Sequence, residues 1–188
     1  MSYDTCGEVF LDLLTLFSQY FHQPQKLYES FIYKVLTEIS AQRCILMLLG
    51  SDKELHVHCA LDENKNTIKN LRSFSRSLPV EAMKNRSIVY RKKTFGQKEN
   101  ILGTESMDAF DIRSVLCVPL ITSRSVIGVL YLDSQTIISD FSQKDRSLVQ
   151  ALCQHLALHI ENAAIVQAQR HQVEMYKEKL QSELAYLK

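Results

Sequence analysis

Nothing in this chain staples it, anchors it in a bilayer or gives it a large charge. Its five cysteines, Cys6, Cys44, Cys59, Cys117 and Cys153, are odd in number, widely spaced, and include no CxxC pair. Cys44 and Cys117 sit inside apolar runs, where a thiol behaves as a small hydrophobe. The pattern excludes a disulfide framework and predicts a reducing, cytoplasmic setting. No apolar run approaches the roughly 18 residues that a membrane-spanning helix needs. The first ten residues carry Asp4 and Glu8 in place of the basic start and apolar stretch of a secretion signal. The net charge of +1 gives no general attraction to nucleic acid or to an anionic membrane. There is no GxxxxGK[ST] phosphate loop and no cyclase or phosphatase signature.

What the chain has is enough apolar residue for one core. Of its 188 residues 46% are hydrophobic and 23% charged, which suits one globular domain with an extra helix or two. Val9, Phe10, Leu13, Leu14, Phe17, Tyr20 and Phe21 recur at helical spacing up to Pro24. A second helix is expected over 26–40, on the stripe Leu27, Phe31, Val35, Leu36 and Ile39. Arg43 to Leu49 and Glu54 to Leu61 read as a hairpin about the turn Gly50-Ser51-Asp52. A short helix over 79–85, a strand over 87–91 and a charged loop over 92–105 follow, with a helical turn at 106–110. Ser114–Ile121 and Val126–Asp133 form a second hairpin.

From Ser142 to Lys188 neither Gly nor Pro interrupts a helix. Ser142 and Asp145 stand in capping-box positions at its start. Leu152, Leu156, His159, Ala163, Val166, Arg170, Val173, Lys177, Leu180, Leu184 and Leu187 alternate steps of four and three, the spacing of a coiled-coil seam. The division expected is an N-terminal amphipathic helix (1–24), a central domain (25–165) and a C-terminal helix (166–188). The fold class is α+β: an antiparallel sheet of about five or six strands with the terminal helices on one face.

Residues 112–165 resemble the GAF family. The match is carried by Ser114-Val115-Leu116-Cys117-Val118-Pro119-Leu120, by Ile127-Gly128-Val129-Leu130-Tyr131-Leu132-Asp133-Ser134, and by Phe141, Asp145 and Ile160-Glu161-Asn162-Ala163. The resemblance spans about 25–165. It implies a loop-roofed pocket for a small molecule on the sheet face opposite the helices. It also implies a dimer through the terminal helices, and an input role for an output domain carried elsewhere, in bacterial signalling or transcription regulation. No ligand or cofactor is identified by it.

Along Val126–Asp133, alternation sets Gly128, Leu130 and Leu132 against Val129, Tyr131 and Asp133. The more apolar set should meet the helices, so Tyr131 faces the pocket; Cys117, Tyr90 and His58 are further candidates for its lining. Leu13, Phe17, Leu152, Leu156, His159, Ala163 and Val166 are the candidates for the dimer interface. Catalysis has no candidates, because no Ser/His/Asp, Cys/His or paired-carboxylate set can be placed together. The alternatives are a GAF-fold enzyme or a cyclic-nucleotide receptor. Cyclic-nucleotide-binding GAF domains resemble one another in an Asn-Lys … Phe-x-x-x-Asp-Glu pattern; Phe141 and Asp145 match it, but Asp133-Ser134 stands in place of Asn-Lys and Arg146 in place of the final Glu. Phe141 and Asp145 read more simply as an apolar staple and a helix start. His56 and His58 have a spacing that could hold a metal, but no third ligand is evident nearby; His155 and His159 could too, but no Glu follows the first as in HExxH, and a dimer-seam position suits His159 better. A bilin is disfavoured because no Cys-His pair occurs. The predicted roof, 62–113, holds no cysteine, which argues against methionine sulfoxide reduction. The basic stretch from Lys84 to Lys98 reads as solvated charge or as attraction for an anionic ligand.

Overall fold

The computed structural model describes residues 3–69, 71, 74–93, 107, 111–135 and 140–186. Helix α1 covers Tyr3–Gln19 and α2 covers Pro24–Glu38, with the proline in the first turn, where a missing N–H costs nothing. Strands β1 (Arg43–Leu49) and β2 (Leu55–Asp62) follow, then α3 (Ser77–Asn85) and β3 (Val89–Lys92). Strands β4 (Ser114–Ile121) and β5 (Val126–Ser134) form the second hairpin, and α4 runs the length of Gln143–Tyr186. The helical turn expected at 106–110 and most of the charged loop after Lys93 lie outside the described residues.

The sheet has five strands in the order β2-β1-β5-β4-β3, all pairs antiparallel. The central strands read as near-continuous apolar runs because both their faces are covered. One face carries Cys44, Leu46, Leu116, Val118, Leu120, Leu130 and Leu132, which pack with α1, α2 and the first third of α4. The other carries Ile45, Met47, Val115, Cys117, Val129 and Tyr131, which pack with Phe74, with Leu78 and Ala82 of α3, and with Met107 and Ile112. Gly128 is required by the close approach of β1 to β5, since a Cβ there would lie 2.3 Å from the Met47 carbonyl oxygen.

Helix α1 belongs to the same core: Val9, Leu13 and Phe17 are buried in it. Its outer contacts with α4 are aromatic. Phe10 meets His155 at 5.2 Å, and Phe17 stacks on His159 at 4.5 Å. At the start of α4 the Ser142 N–H donates to Asp145 Oδ2 (2.9 Å) and the Asp145 N–H donates to Ser142 Oγ (3.2 Å), a reciprocal cap. Phe141, beside it, is buried in the helix-side core. From Gln167 to Glu183 every residue of α4 is exposed.

Candidate ligand-binding face

The sheet face away from α1, α2 and α4 holds a polar network in an otherwise apolar layer. Tyr131 is fully buried, and its hydroxyl donates to Asp133 Oδ2 at 2.7 Å. Asp133, also fully buried, receives Arg43 Nε at 2.8 Å on Oδ1 and Arg43 Nη2 at 2.5 Å on Oδ2. The guanidinium and carboxylate thus close side-on and bidentate, the strongest form of such a pair. Burial lowers the Arg43 pKa, but hydrogen bonding and the charge of Asp133 outweigh it, so the net shift is upward. Burial, then the nearby Asp133 carboxylate, pushes the Tyr131 hydroxyl far up. Phe74 lies edge-on to the Tyr131 ring at 5.6 Å, so the segment before α3 sits directly on this face.

Cys117 is paired with Tyr131 across β4 and β5 and is fully buried. Burial raises its pKa well above the ordinary thiol value, and Asp133 and Glu81 add to the rise. Its burial favours the protonated thiol, which packs as a small apolar group.

Two of the four lining candidates point the other way. Tyr90 faces the helix layer: β3 registers Val89 with Cys117, which fixes Val89 and Arg91 on the Tyr131 side and turns Tyr90 away. Its ring lies edge-on to Phe141 and under the Arg146 guanidinium (4.6 Å), and its hydroxyl donates to Asp140. Burial and that bond push its pKa up to about 12. His58 is displaced by a β-bulge. Leu46 pairs with Cys59 but Met47 pairs with Val57, so His58 is the extra residue. It is exposed and meets Tyr28 of α2 edge-on at 5.9 Å. His56 is held instead by Asp52, at 2.8 and 3.0 Å from the two carboxylate oxygens. Among the described residues no three His, Cys, Asp or Glu side chains converge on a point.

Most of the dimer candidates also need correction. Leu13, Phe17, Leu152 and Leu156 are buried in the chain's own core, where the sheet and α1 cover the stripe assigned to a partner. His159, Ala163 and Val166 are half-buried beside a groove of about 440 Å³ between the α1–α2 corner and α4. Among the described residues, the large apolar side chains of these two helices that face solvent are Leu11 and Leu14 on α1, and Leu158, Ile165, Val173, Met175, Tyr176 and Leu180 on α4.

The pattern missed Arg91. On the Tyr131 side of β3, its Nη2 donates to Glu81 Oε1 of α3 at 2.7 Å and its Nη1 donates to the Tyr90 carbonyl at 3.1 Å. Its Nε is buried with no hydrogen-bond partner among the described residues. The readable signal was the alternation Val89-Tyr90-Arg91-Lys92, which puts an arginine on the same face as a buried valine.

The fold's relatives agree with this architecture. The GAF domain family model matches residues 32–162. The GAF domain of a putative sensor histidine kinase from Pseudomonas syringae pv. tomato is similar at 17% identity. It covers 88% of this chain and 95% of its own, with a TM-score of 0.57. The GAF domain of an Acinetobacter phosphoenolpyruvate-protein phosphotransferase is similar at 20% identity, covering 84% and 96%, with a TM-score of 0.58. The GAF domain of Thermosynechococcus elongatus PixJ, in its blue-light-absorbing form, is 14% identical and covers 80% and 92%, with a TM-score of 0.61. No curated protein matches the sequence. With the family model spanning most of the chain and the sheet order and helix layer described above, this chain belongs to the GAF domain family.

Proposed function

We propose that this chain is a cytoplasmic sensory module without catalytic activity, which binds a small molecule on the Tyr131 face and passes the signal through α4 to an output domain. The observation that carries the reading is the division of labour across one sheet. One face is sealed by the helices, and from that layer α4 continues for many residues with nothing of its own domain against it. The opposite face keeps buried polar groups under short segments and α3. Such a sheet can register a change on one side and move a helix on the other. The similarity to GAF domains of sensor kinases supports a role in bacterial signal transduction, with transcription regulation as one form of output. The described thiols Cys44, Cys59, Cys117 and Cys153 are all buried and shifted toward the protonated form, which supports a binding role over nucleophilic chemistry.

Dimerisation belongs to the same proposal, on a corrected surface. Leu11, Leu14, Leu158 and Ile165 are 66%, 54%, 51% and 41% exposed, on the flanks of two helices that already touch through Phe10 and His155. A second copy placed on this strip would bury it, and Val173 and Leu180 would extend the contact as a coiled coil. No helix among the described residues is long and apolar enough to cross a membrane.

Two measurements test the reading. Melting of the protein against a library of neutral and charged metabolites should reveal a compound that raises the midpoint in proportion to its concentration. Sedimentation should show a dimer at tens of micromolar that Leu158→Glu converts to a folded monomer. A wild-type monomer removes the assembly half of the proposal, and a library with no stabilising compound removes the sensing half.

A further inference from the structure

Two arginines serve the ligand side of the sheet, and they are in different states. Arg43 spends Nε and Nη2 together on both oxygens of one carboxylate, Asp133. Arg91 has only half of that arrangement. Its Nη2 reaches a single oxygen of Glu81, while Nε, on the same edge of the guanidinium, is buried and has no acceptor among the described residues. A buried N–H of a charged group left without a partner is costly, so this edge favours an incoming acceptor. Its surroundings are apolar. Val89 and the cross-strand partner Val115 are buried beside it, and Leu78 and Ala82 flank Glu81 along α3. The Arg91 side chain keeps 27% of its exposure and Glu81 keeps 31%, so the edge lies at the rim of the layer and Glu81 can turn toward water.

On this basis, which rests on the sensory reading above, we infer that the Nε–Nη2 edge of Arg91 receives the carboxylate of a small monocarboxylate ligand whose apolar tail lies against Val89, Val115 and α3. The ligand's two oxygens would take Nε and Nη2 side-on, as Asp133 takes those of Arg43, and Glu81 would be released to solvent. A monoanion fits better than a phosphate. The face keeps the buried carboxylate Asp133, whose charge reaches the Cys117 thiol, and a dianion would meet that charge with one open guanidinium edge. The exchange has a consequence for the fold. The Arg91–Glu81 bridge joins β3 to α3, while the next residues on the opposite side of β3, Tyr90 and Lys92, hold Asp140 just ahead of α4. Release of Glu81 therefore loosens the ligand-side grip on the strand that touches the start of the long helix.

The test uses the full chain and a series of straight and branched carboxylates from acetate to hexanoate at millimolar concentration, each beside its primary amide, at constant ionic strength. At least one acid should raise the melting midpoint in a concentration-dependent way while its amide does not. Arg91→Gln should abolish the shift. Arg91→Lys should not restore it, because an ammonium lacks the two-donor edge. Glu81→Gln, which removes the competing carboxylate, should tighten binding by about tenfold, the equivalent of one charge-assisted hydrogen bond. The inference fails if no acid shifts the midpoint, if the amide works as well as the acid, or if Glu81→Gln weakens binding. It also fails if a neutral compound from the metabolite library stabilises wild type and Arg91→Gln alike, and that result leaves the sensory reading standing. If Arg91→Gln does not fold, the comparison of Glu81→Gln with wild type decides alone.

Discussion

The two faces of this sheet are built on different principles. The helix side is an apolar stack from Leu27 and Phe31 through Leu46, Leu130 and Leu132 to Leu152 and Leu156, and its interior holds no ion pair among the described residues. The Tyr131 side is also buried, yet its centre is a tyrosine bonded to an aspartate that is clamped by an arginine. An apolar contact is non-directional and tolerates small shifts. A bidentate ion pair fixes geometry, and fails abruptly when one member is lost. The first face suits a platform for mobile helices, and the second suits a floor whose shape must be held.

If that contrast is right, the largest loss should come from the polar face. Asp133→Ala leaves the Arg43 guanidinium and the Tyr131 hydroxyl without their acceptor, at a cost of about 3–5 kcal/mol by urea unfolding. The apolar comparison is Leu156→Ala, which removes a fully buried side chain and should cost about 3 kcal/mol. Leu158 lies two residues further along the same helix but is 51% exposed, so Leu158→Ala should leave monomer stability nearly unchanged. Equal losses at Leu156 and Leu158 would show that the helix layer is not arranged as described. Tyr131→Phe keeps the ring against Phe74 and deletes only the hydroxyl, so about 1 kcal/mol is expected. A loss as large as that of Asp133→Ala would mean that the tyrosine, and not the ion pair, organises the face.

The sequence made the middle of the fold plain and blurred its edges. In β5 the alternation of Leu130 and Leu132 with Val129 and Tyr131 named the correct face, because the strand is central, regular and long. In β2 the same rule failed at His58, since one extra residue between Leu46 and Met47 shifts the phase and a bulge leaves no mark in residue type. Strand β3 is four residues long with apolar side chains on both faces, so only its register with Cys117 settles where Tyr90 and Arg91 point. The stripe through Leu152 and Leu156 was correctly read as apolar at coiled-coil spacing. Periodicity does not say whether a sheet or a second helix covers the stripe, and here the sheet does. Arg91 escaped notice because charged residues were weighed as a run, when the strand sorts them one by one.

One polar group does intrude into the helix layer, and it supplies the smallest and most specific test. His159 stacks on Phe17 and meets the edge of Phe21 at 5.4 Å, and its Nε2 is buried with no hydrogen-bond partner among the described residues. Burial lowers its pKa below the ordinary value of 6.5. The folded state therefore binds the proton less readily than the unfolded chain. The stabilising contribution of the neutral ring is complete above pH 6.5 and drains away as the pH falls from there through the depressed folded value. The ring is partly exposed, so solvent screening limits the effect to about a few tenths of a kcal/mol. His58, also shifted downward, titrates in the same direction, so the readout must be a difference between proteins. Unfolding free energies of wild type and His159→Phe, followed from pH 7.5 to 5, should diverge: the variant keeps the stacking surface and loses part of the acid sensitivity. Parallel profiles would show that the Phe17–His159 contact carries no titration, and that the joint between α1 and α4 is as indifferent to pH as the rest of the apolar layer.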